Sequence, residues 1–592
     1  MTTIQETIYN LEQGRGVSWV RWIVFLVAFF VLAGWLNLFQ FRGFASQEAM
    51  DDAQLARQLA QGHGFTTYFV RPAALAQMRD RAYLRQGGLI TSPATASSRA
   101  VDLTRLPDTA NPPLYPLCLA ALFKVSGVSF SVPPEKLSNF HFFTPELAVN
   151  LFNQFCLALT AVAVFLLGRS LFDQRVGLLA AAACLAGDLN WRFSLSGLPV
   201  CLTLLLITLA ALFLHRALLR EEEGRSWPWL SLALGAFFLG LAVLSQYTAG
   251  WLLPPFLAAA LLGLRARWRT AALLLAVWGV LLTPWALREI ALTGNPVGVN
   301  TLLLGTGGES YPGTSLERSY RFKTGVLIWQ EGLHKAAHGL RYHIENFYRL
   351  LGTGIAPAFF LVGLLYLFRR RRGQIVRGFV LVGLLCLAFG TSLVKAEPEP
   401  ATLANTLFLL WPLVTLLGAS FFFILLDRLQ VSGVLRPWVI GLFLAVNSLP
   451  LLATLAGSGR GAFAYPPYFP PILLYSAPWF EPNEAIASDM PWAVAWYQNR
   501  PSLWLPATRK DFMEIHDYVS SIRGVLFTPV SRNAANLFDI ERGEWAEWES
   551  LINKKGYPPD FPLQTALPLP PNGSDYLLFA DHVRWPVAEK SP

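Results

Sequence analysis

The chain has 592 residues, 54% of them hydrophobic and only 14% charged, with a formal net charge of +9. So apolar a composition excludes a purely soluble globular protein and points to several membrane spans with a soluble appendage. The positive balance does not imply nucleic acid, because the arginines gather in short loops between apolar runs, where membrane orientation accounts for them.

After a polar N-terminus, the run from Val17 to Phe39 is long enough to cross a bilayer and too long for a signal-peptide core, so it predicts a retained first span near 19–40. Ten further apolar runs follow near 147–168, 175–190, 197–215, 229–245, 248–264, 270–288, 352–368, 374–394, 403–426 and 437–455, making eleven predicted spans. Under this division one set of loops carries Arg15, Arg169, Arg175, Arg216, Arg220, Arg225, Arg265, Arg267, Arg269, Arg369 to Arg372, Arg377, Arg428 and Arg436. The short loops on the other side carry only Arg192 and Lys395. That bias places the N-terminus in the cytoplasm and the C-terminus outside. Three long segments, 41–146, 289–351 and 456–592, then share the outer face. The fold expected is mainly α: a polytopic helical membrane domain over 1–456 and a small extracytoplasmic α/β domain over 457–592.

The first outer loop opens with a predicted helix capped by Ser46 and stopped at Gly62. Glu48, Asp52, Leu55 and Leu59 fall on one stripe of it, and Asp51 lies on the flank. Further on, Pro112, Pro113 and Pro116 lead an apolar run too short to span, which suits a helix lying in the membrane interface. In the tail, "VAWY" and "SLWLP" are candidate strands around an Asn499-Arg500-Pro501 turn, "MEIHDYVSSI" is a predicted helix and "GVLFTPV" a predicted strand. Cys118, Cys156, Cys184, Cys201 and Cys386 all lie in apolar stretches without a CxxC pair, and read as small core hydrophobes.

Chemistry is expected where acids and cations meet on the outer face. Glu48, Asp51 and Asp52 complement the helix dipole if they are merely structural; as a group at a membrane edge they include a candidate general base. Arg71, Arg192, Arg288 and Lys395 either snorkel toward headgroups or bind a lipid phosphate, for which the planar guanidinium is suited. Together they suit displacement at the anomeric carbon of a sugar carried on a polyprenyl phosphate. Asp188 is a second acid or a loop residue, and His338 and His343 are surface polar groups rather than metal ligands. The sequon Asn572-Gly573-Ser574 and stacking by Trp492, Trp496 and Trp504 are weaker signals.

The stretches "EAMDDAQLARQLAQGHGF", "NPPLYPL" and "TPWALREIALTGNPVG", in this order, resemble the membrane-embedded GT-C glycosyltransferases. The likeness is to the branch of protein O-mannosyltransferases and the lipid A aminoarabinose transferase, over about residues 17 to 455. The resemblance implies catalysis by a first-loop acid aligned with Glu48, and a lipid-phosphate pocket near Arg288. Tyr115, within "NPPLYPL", is placed with the substrate-binding residues. This chain has Gln47-Glu48 where an Asp-Glu pair is common and Asp52 where an aromatic is common, so the base stays open among Glu48, Asp51 and Asp52. The expected activity is inverting transfer from a polyprenyl-phosphate sugar to a protein, lipid or glycan acceptor, outside a bacterial inner membrane. No nucleic-acid partner is expected, and neither a cofactor nor a divalent metal is indicated. The alternatives are a transporter or flippase of a lipid-linked substrate, which would need charges at mid-membrane, and a non-catalytic scaffold.

Overall fold

The computed structural model describes residues 15–85, 101–137, 140–224, 228–308, 311–322, 326–366, 370–395, 404–456, 470–532, 543–553, 560–569 and 576–586, with a few single residues between them. Helix α1 (Arg15–Trp35) runs into a π-helical turn, Leu36–Gln40, where Asn37 donates to Ala33 O at 2.9 Å and to Gln154 at 2.9 Å. Outside the bundle follow α2 (Gln47–Ala60), α3 (Pro72–Arg85) and α4 (Leu114–Ser126), the last at the predicted interfacial run.

All eleven predicted apolar runs contain helix. Among the described residues seven helices are long and apolar enough to cross a membrane: Thr144–Leu171, Val200–Glu222, Pro228–Ser245, Arg267–Thr293, Arg371–Val394, Thr406–Arg428 and Arg436–Ala456. The others are shorter or broken. The run near 175–190 divides at Ala186-Gly187 into Gln174–Leu185 and Asp188–Leu195, the second of which starts on an acid suited to a helix N-terminus. The run near 352–368 contains only the nine-residue helix Ile355–Gly363. Helices Thr144–Leu171 and Gln174–Leu185 form a tight hairpin because Gly168 and Gly177 meet: a Cβ on Gly168 would lie 2.6 Å from the Gly177 Cα. Small residues at a helix crossing let backbones approach and gain dispersion contact.

The tail folds around a six-stranded sheet of order β1-β3-β2-β4-β6-β5. β2 (Ala485–Ser488), β3 (Ser502–Trp504) and β4 (Ile522–Phe527) are parallel neighbours, and β5 (Thr565–Leu569) and β6 (Tyr576–Ala580) complete it antiparallel. The edge strand β1 (Phe69–Val70) comes from the first long loop and pairs with β3. The predicted strand "VAWY" is instead a π-helical turn, Val494–Gln498, closed by Asn499 at φ 54°. A strand would send Trp496 and Tyr497 to opposite faces. Both reach the Glu146 carboxylate, at 2.9 and 2.6 Å, which pins the tail to the first long membrane helix. The predicted helix in "MEIHDYVSSI" and strand in "GVLFTPV" form as Arg509–Tyr518 and β4.

Candidate active site

Helix α2 begins as its sequence indicates, with the Ser46 hydroxyl accepting from Ala49 N at 3.4 Å, and the chain turns at Gly62 with φ +83°. Its amphipathic stripe does not divide solvent from protein. Every residue from Ala49 to Gln58 is buried, because α4 covers one side and the tail the other. Arg57 donates to Trp496 O at 3.4 Å and lies 4.5 Å over the Phe130 ring. Gly197, at φ +76°, comes up against Phe44 and Ala49 where a Cβ would clash, and so seats the start of α2 on the bundle.

The three acids of α2 occupy different environments. Asp51 is fully buried and saturated: Oδ2 accepts from Arg71 Nη2 at 2.7 Å and from Asn111 Nδ2 at 2.8 Å, and Oδ1 from Thr67 Oγ1 at 3.5 Å. Asp52 is buried and, among the described residues, its Oδ1 lacks a hydrogen-bond partner. Burial, and then the charges of Asp51, Asp108 and Glu48, hold its carboxyl well above the usual carboxylate range. Glu48 has an exposed side chain, yet desolvation by surrounding protein is the largest influence on its carboxyl. Surface exposure and crowding point in different directions for this residue; both hold for a side chain lining a water-accessible recess. Burial there raises its proton affinity, and the nearby Arg71 and Lys395 charges partly offset the rise. An accessible carboxylate with raised proton affinity is the form a general base takes.

Of the predicted cations, Arg71 and Lys395 both act on Glu48. Arg71 is buried, stacked 3.9 Å over the Phe69 ring and paired with Asp51. Lys395 is exposed at the end of helix Arg371–Val394 and, among the described residues, makes no ion pair. The position of that helix end is fixed by Lys335, whose Nζ donates to Val394 O at 3.2 Å as well as to Leu303 O at 3.1 Å and Thr306 O at 2.6 Å. Arg288 donates to Asp108 O at 2.9 Å, pairs with Glu289, and stacks 4.6 Å over Trp285 and 5.1 Å over Phe65. Tyr115 lies near Asp52, but as a neutral phenol whose hydroxyl is spent on Gly197 O at 2.8 Å. Arg192 is engaged elsewhere, with Asp188 at 2.7 Å, and Asp188 also accepts from Thr454 at 3.0 Å.

Two acids of the cluster escape the motifs. Asp108, three residues before the quoted "NPPLYPL", is buried and accepts from Asn111 N at 2.8 Å; burial and Asp51 raise its carboxyl. Glu317, in the second long loop, lies 3.9 Å from Arg71. A turn acid before the "NPPLYPL" prolines was a usable signal for Asp108; nothing local marks Glu317.

His338 lies at the surface as expected and pairs with Glu397 at 3.0 Å, whereas His343 is buried, its Nδ1 bonding Gly339 O at 2.7 Å. Among the described residues no three His, Cys, Asp or Glu side chains group as metal ligands. Trp492 and Trp504 pack with Phe69, and Trp496 is buried in the core. The sequon at Asn572 lies outside the described residues.

Comparison with known proteins agrees with a GT-C fold for this helical bundle and its attached α/β sheet. Residues 139–286 match the family model for dolichyl-phosphate-mannose-protein mannosyltransferase, a segment that begins after the acid helix. Among solved structures, ArnT from Cupriavidus metallidurans bound to undecaprenyl phosphate is similar with a TM-score of 0.53 and 11% identity, over 95% of this chain and 98% of that one. Its apo state gives the same values. The Archaeoglobus fulgidus oligosaccharyltransferase in its apo form gives a TM-score of 0.49 at 13% identity, over 90% of this chain and 72% of that one. No curated protein matches the sequence. The likeness to ArnT establishes a shared fold, in agreement with the resemblance read from the motifs.

Proposed function

We propose that this chain transfers a sugar from a polyprenyl-phosphate donor to an acceptor on the extracytoplasmic side of a bacterial inner membrane, with inversion at the anomeric carbon. The orientation rests on the arginine bias, which puts the N-terminus in the cytoplasm and the long loops and tail outside. The observation that carries the proposal is Glu48, an accessible carboxylate in a protein-lined recess, within reach of the Arg71 and Lys395 charges. The crystal structure of ArnT with undecaprenyl phosphate supports a lipid phosphate as the leaving group on this fold.

In this reading an acceptor O–H or N–H enters the recess and its heteroatom attacks the anomeric carbon from the face opposite the phosphate. The new bond forms as the bond from that carbon to the phosphate oxygen breaks, and the electron pair leaves with the phosphate. The acceptor proton passes to Glu48. Lys395, the exposed cation, is the first candidate to meet the departing phosphate, with Arg288 and Arg192 as further cations of the outer face. Asp51 serves by holding Arg71, and Tyr115 by bracing α4 beneath the acids.

The test is transfer of radiolabelled sugar from undecaprenyl-phosphate mannose and undecaprenyl-phosphate aminoarabinose by membranes holding matched amounts of wild type or Glu48→Gln. The variant is expected to lose about a hundredfold to ten-thousandfold in rate, the usual worth of a positioned acid or base. Undiminished transfer would remove Glu48 as the base.

A further inference from the structure

Two neighbouring residues of the second long loop face opposite ways. The Glu317 side chain turns toward the recess, with Oε2 3.9 Å from Arg71 Nε, and its backbone carbonyl accepts from Ala73 N at 3.1 Å, two residues beyond Arg71. Arg318 turns into the C-terminal sheet and is fully buried. Its Nε donates to Leu505 O at 2.8 Å, Nη1 lies 3.4 Å from the Glu544 carboxylate, and the guanidinium stacks 3.9 Å over Trp545. Ala507 N donates back to Arg318 O at 3.0 Å. Leu505 and Ala507 directly follow β3, and β3 pairs with β1, whose Val70 immediately precedes Arg71. The same sheet therefore reaches Arg71 by two routes, through the β1 ladder and through the Glu317-Arg318 clasp.

Asp51 and the Phe69 ring hold the Arg71 guanidinium on one edge and one face, and a second acid restrains its remaining edge. Asp51 holds Arg71 at 2.7 Å and Glu317 faces it at 3.9 Å, so its charge is fixed between them, beside Glu48. We propose that Glu317 is a positioning residue for the transfer reaction: anchored to the C-terminal sheet through Arg318, it holds the Arg71 guanidinium in place opposite Glu48. This rests on the reading of Glu48 as the base. It gives the tail sheet a part in catalysis, since movement of the sheet moves the charge that faces the base.

The groups facing Glu48 are Arg71, Lys395, Asp51, Asp52 and Glu317, and Glu317 is faced in turn by Arg71, Glu48 and Glu544. Burial raises the Glu317 carboxyl to about 7, so its charge is present above neutral pH; there, Glu317→Gln takes an acid away from Glu48 and leaves Arg71 free to approach it. Both changes favour the ionised base, so the acid limb of the rate profile moves to lower pH.

The experiment compares initial transfer rates between pH 5 and 8 for the full-length protein in proteoliposomes, using whichever of the two donors above supports the wild type. The variants are Glu317→Gln, Glu317→Asp and Glu48→Gln. Glu317→Gln is expected to shift the acid limb down by about half a pH unit, and Glu317→Asp to lie between it and the wild type. Measuring the folded fraction at each pH separates this shift from a change in stability, which varies with pH when a buried acid is replaced. An unmoved limb in Glu317→Gln, with transfer still crippled in Glu48→Gln, overturns this inference alone. Undiminished transfer in Glu48→Gln, or none by the wild type with either donor, overturns the base reading and this inference with it.

Discussion

The buried acid of the tail, Asp489, and the two buried acids Asp52 and Asp108 beside Glu48 are built on opposite plans. Asp489, just beyond β2, has its Oδ2 met by Thr528 N at 2.9 Å, Thr528 Oγ1 at 3.1 Å, Ser531 N at 3.1 Å and Ser531 Oγ at 2.6 Å. Ser488 Oγ, at 3.2 Å, bonds its Oδ1. All these donors come from the C-terminal ends of the two central strands, β2 and β4, and the turn that follows, and they saturate the carboxylate as a buried structural acid requires. The recess instead crowds Asp51, Asp52, Asp108, Glu48 and Glu317 around few cations, and among the described residues leaves Oδ1 of both Asp52 and Asp108 without a partner. Satisfied acids hold a fold together; acids left short of donors, beside an accessible one, mark where stability has been given up for chemistry.

Replacing an acid in each place sharpens this contrast. Asp51→Ala has the larger expected effect on stability, because it strands the Arg71 guanidinium in a buried site without its nearer partner, at a cost of about 3–5 kcal/mol. Thermal unfolding in detergent measures the loss, and transfer by the surviving folded protein is expected to fall as well, since the charge beside Glu48 is released. Asp489→Ala is expected to cost about 1–3 kcal/mol, the price of unmet buried donors. Transfer per folded molecule and the pH profile should stay close to wild type. A loss of activity per folded molecule in Asp489→Ala as deep as that in Asp51→Ala would break the contrast.

Much of this was legible in the sequence where the signal is local. Apolar runs placed the helices, Ser46 and Gly62 bounded α2, and the three prolines announced α4. Even there, the predicted run near 175–190 spans the break at Ala186-Gly187, although Gly187-Asp188 is itself a stop-and-start signal. The acids of α2 were visible as candidates, but nothing in "EAMDDA" distinguishes a saturated Asp51 from an accessible Glu48. That distinction is made by Arg71 and Asn111, 20 and 60 residues away in the chain. The two-residue strand β1 has no pattern of its own and exists because β3, more than 400 residues later, offers it a ladder. Arg318 has no local signal in the sequence, and is buried where the tail packs on it. What sequence reasoning missed is thus the set of contacts between the outer loops and the tail.

The central claim is that the lipid phosphate and the accessible acid share one recess. The most direct measurement is an electron cryomicroscopy structure of the full-length protein in lipid nanodiscs with undecaprenyl phosphate. The account predicts phosphate density at hydrogen-bonding distance from Lys395 Nζ, in the same recess as the Glu48 carboxylate, and its disappearance in Lys395→Gln. Phosphate seated against Arg192 and away from Glu48, unaffected by that substitution, would contradict it.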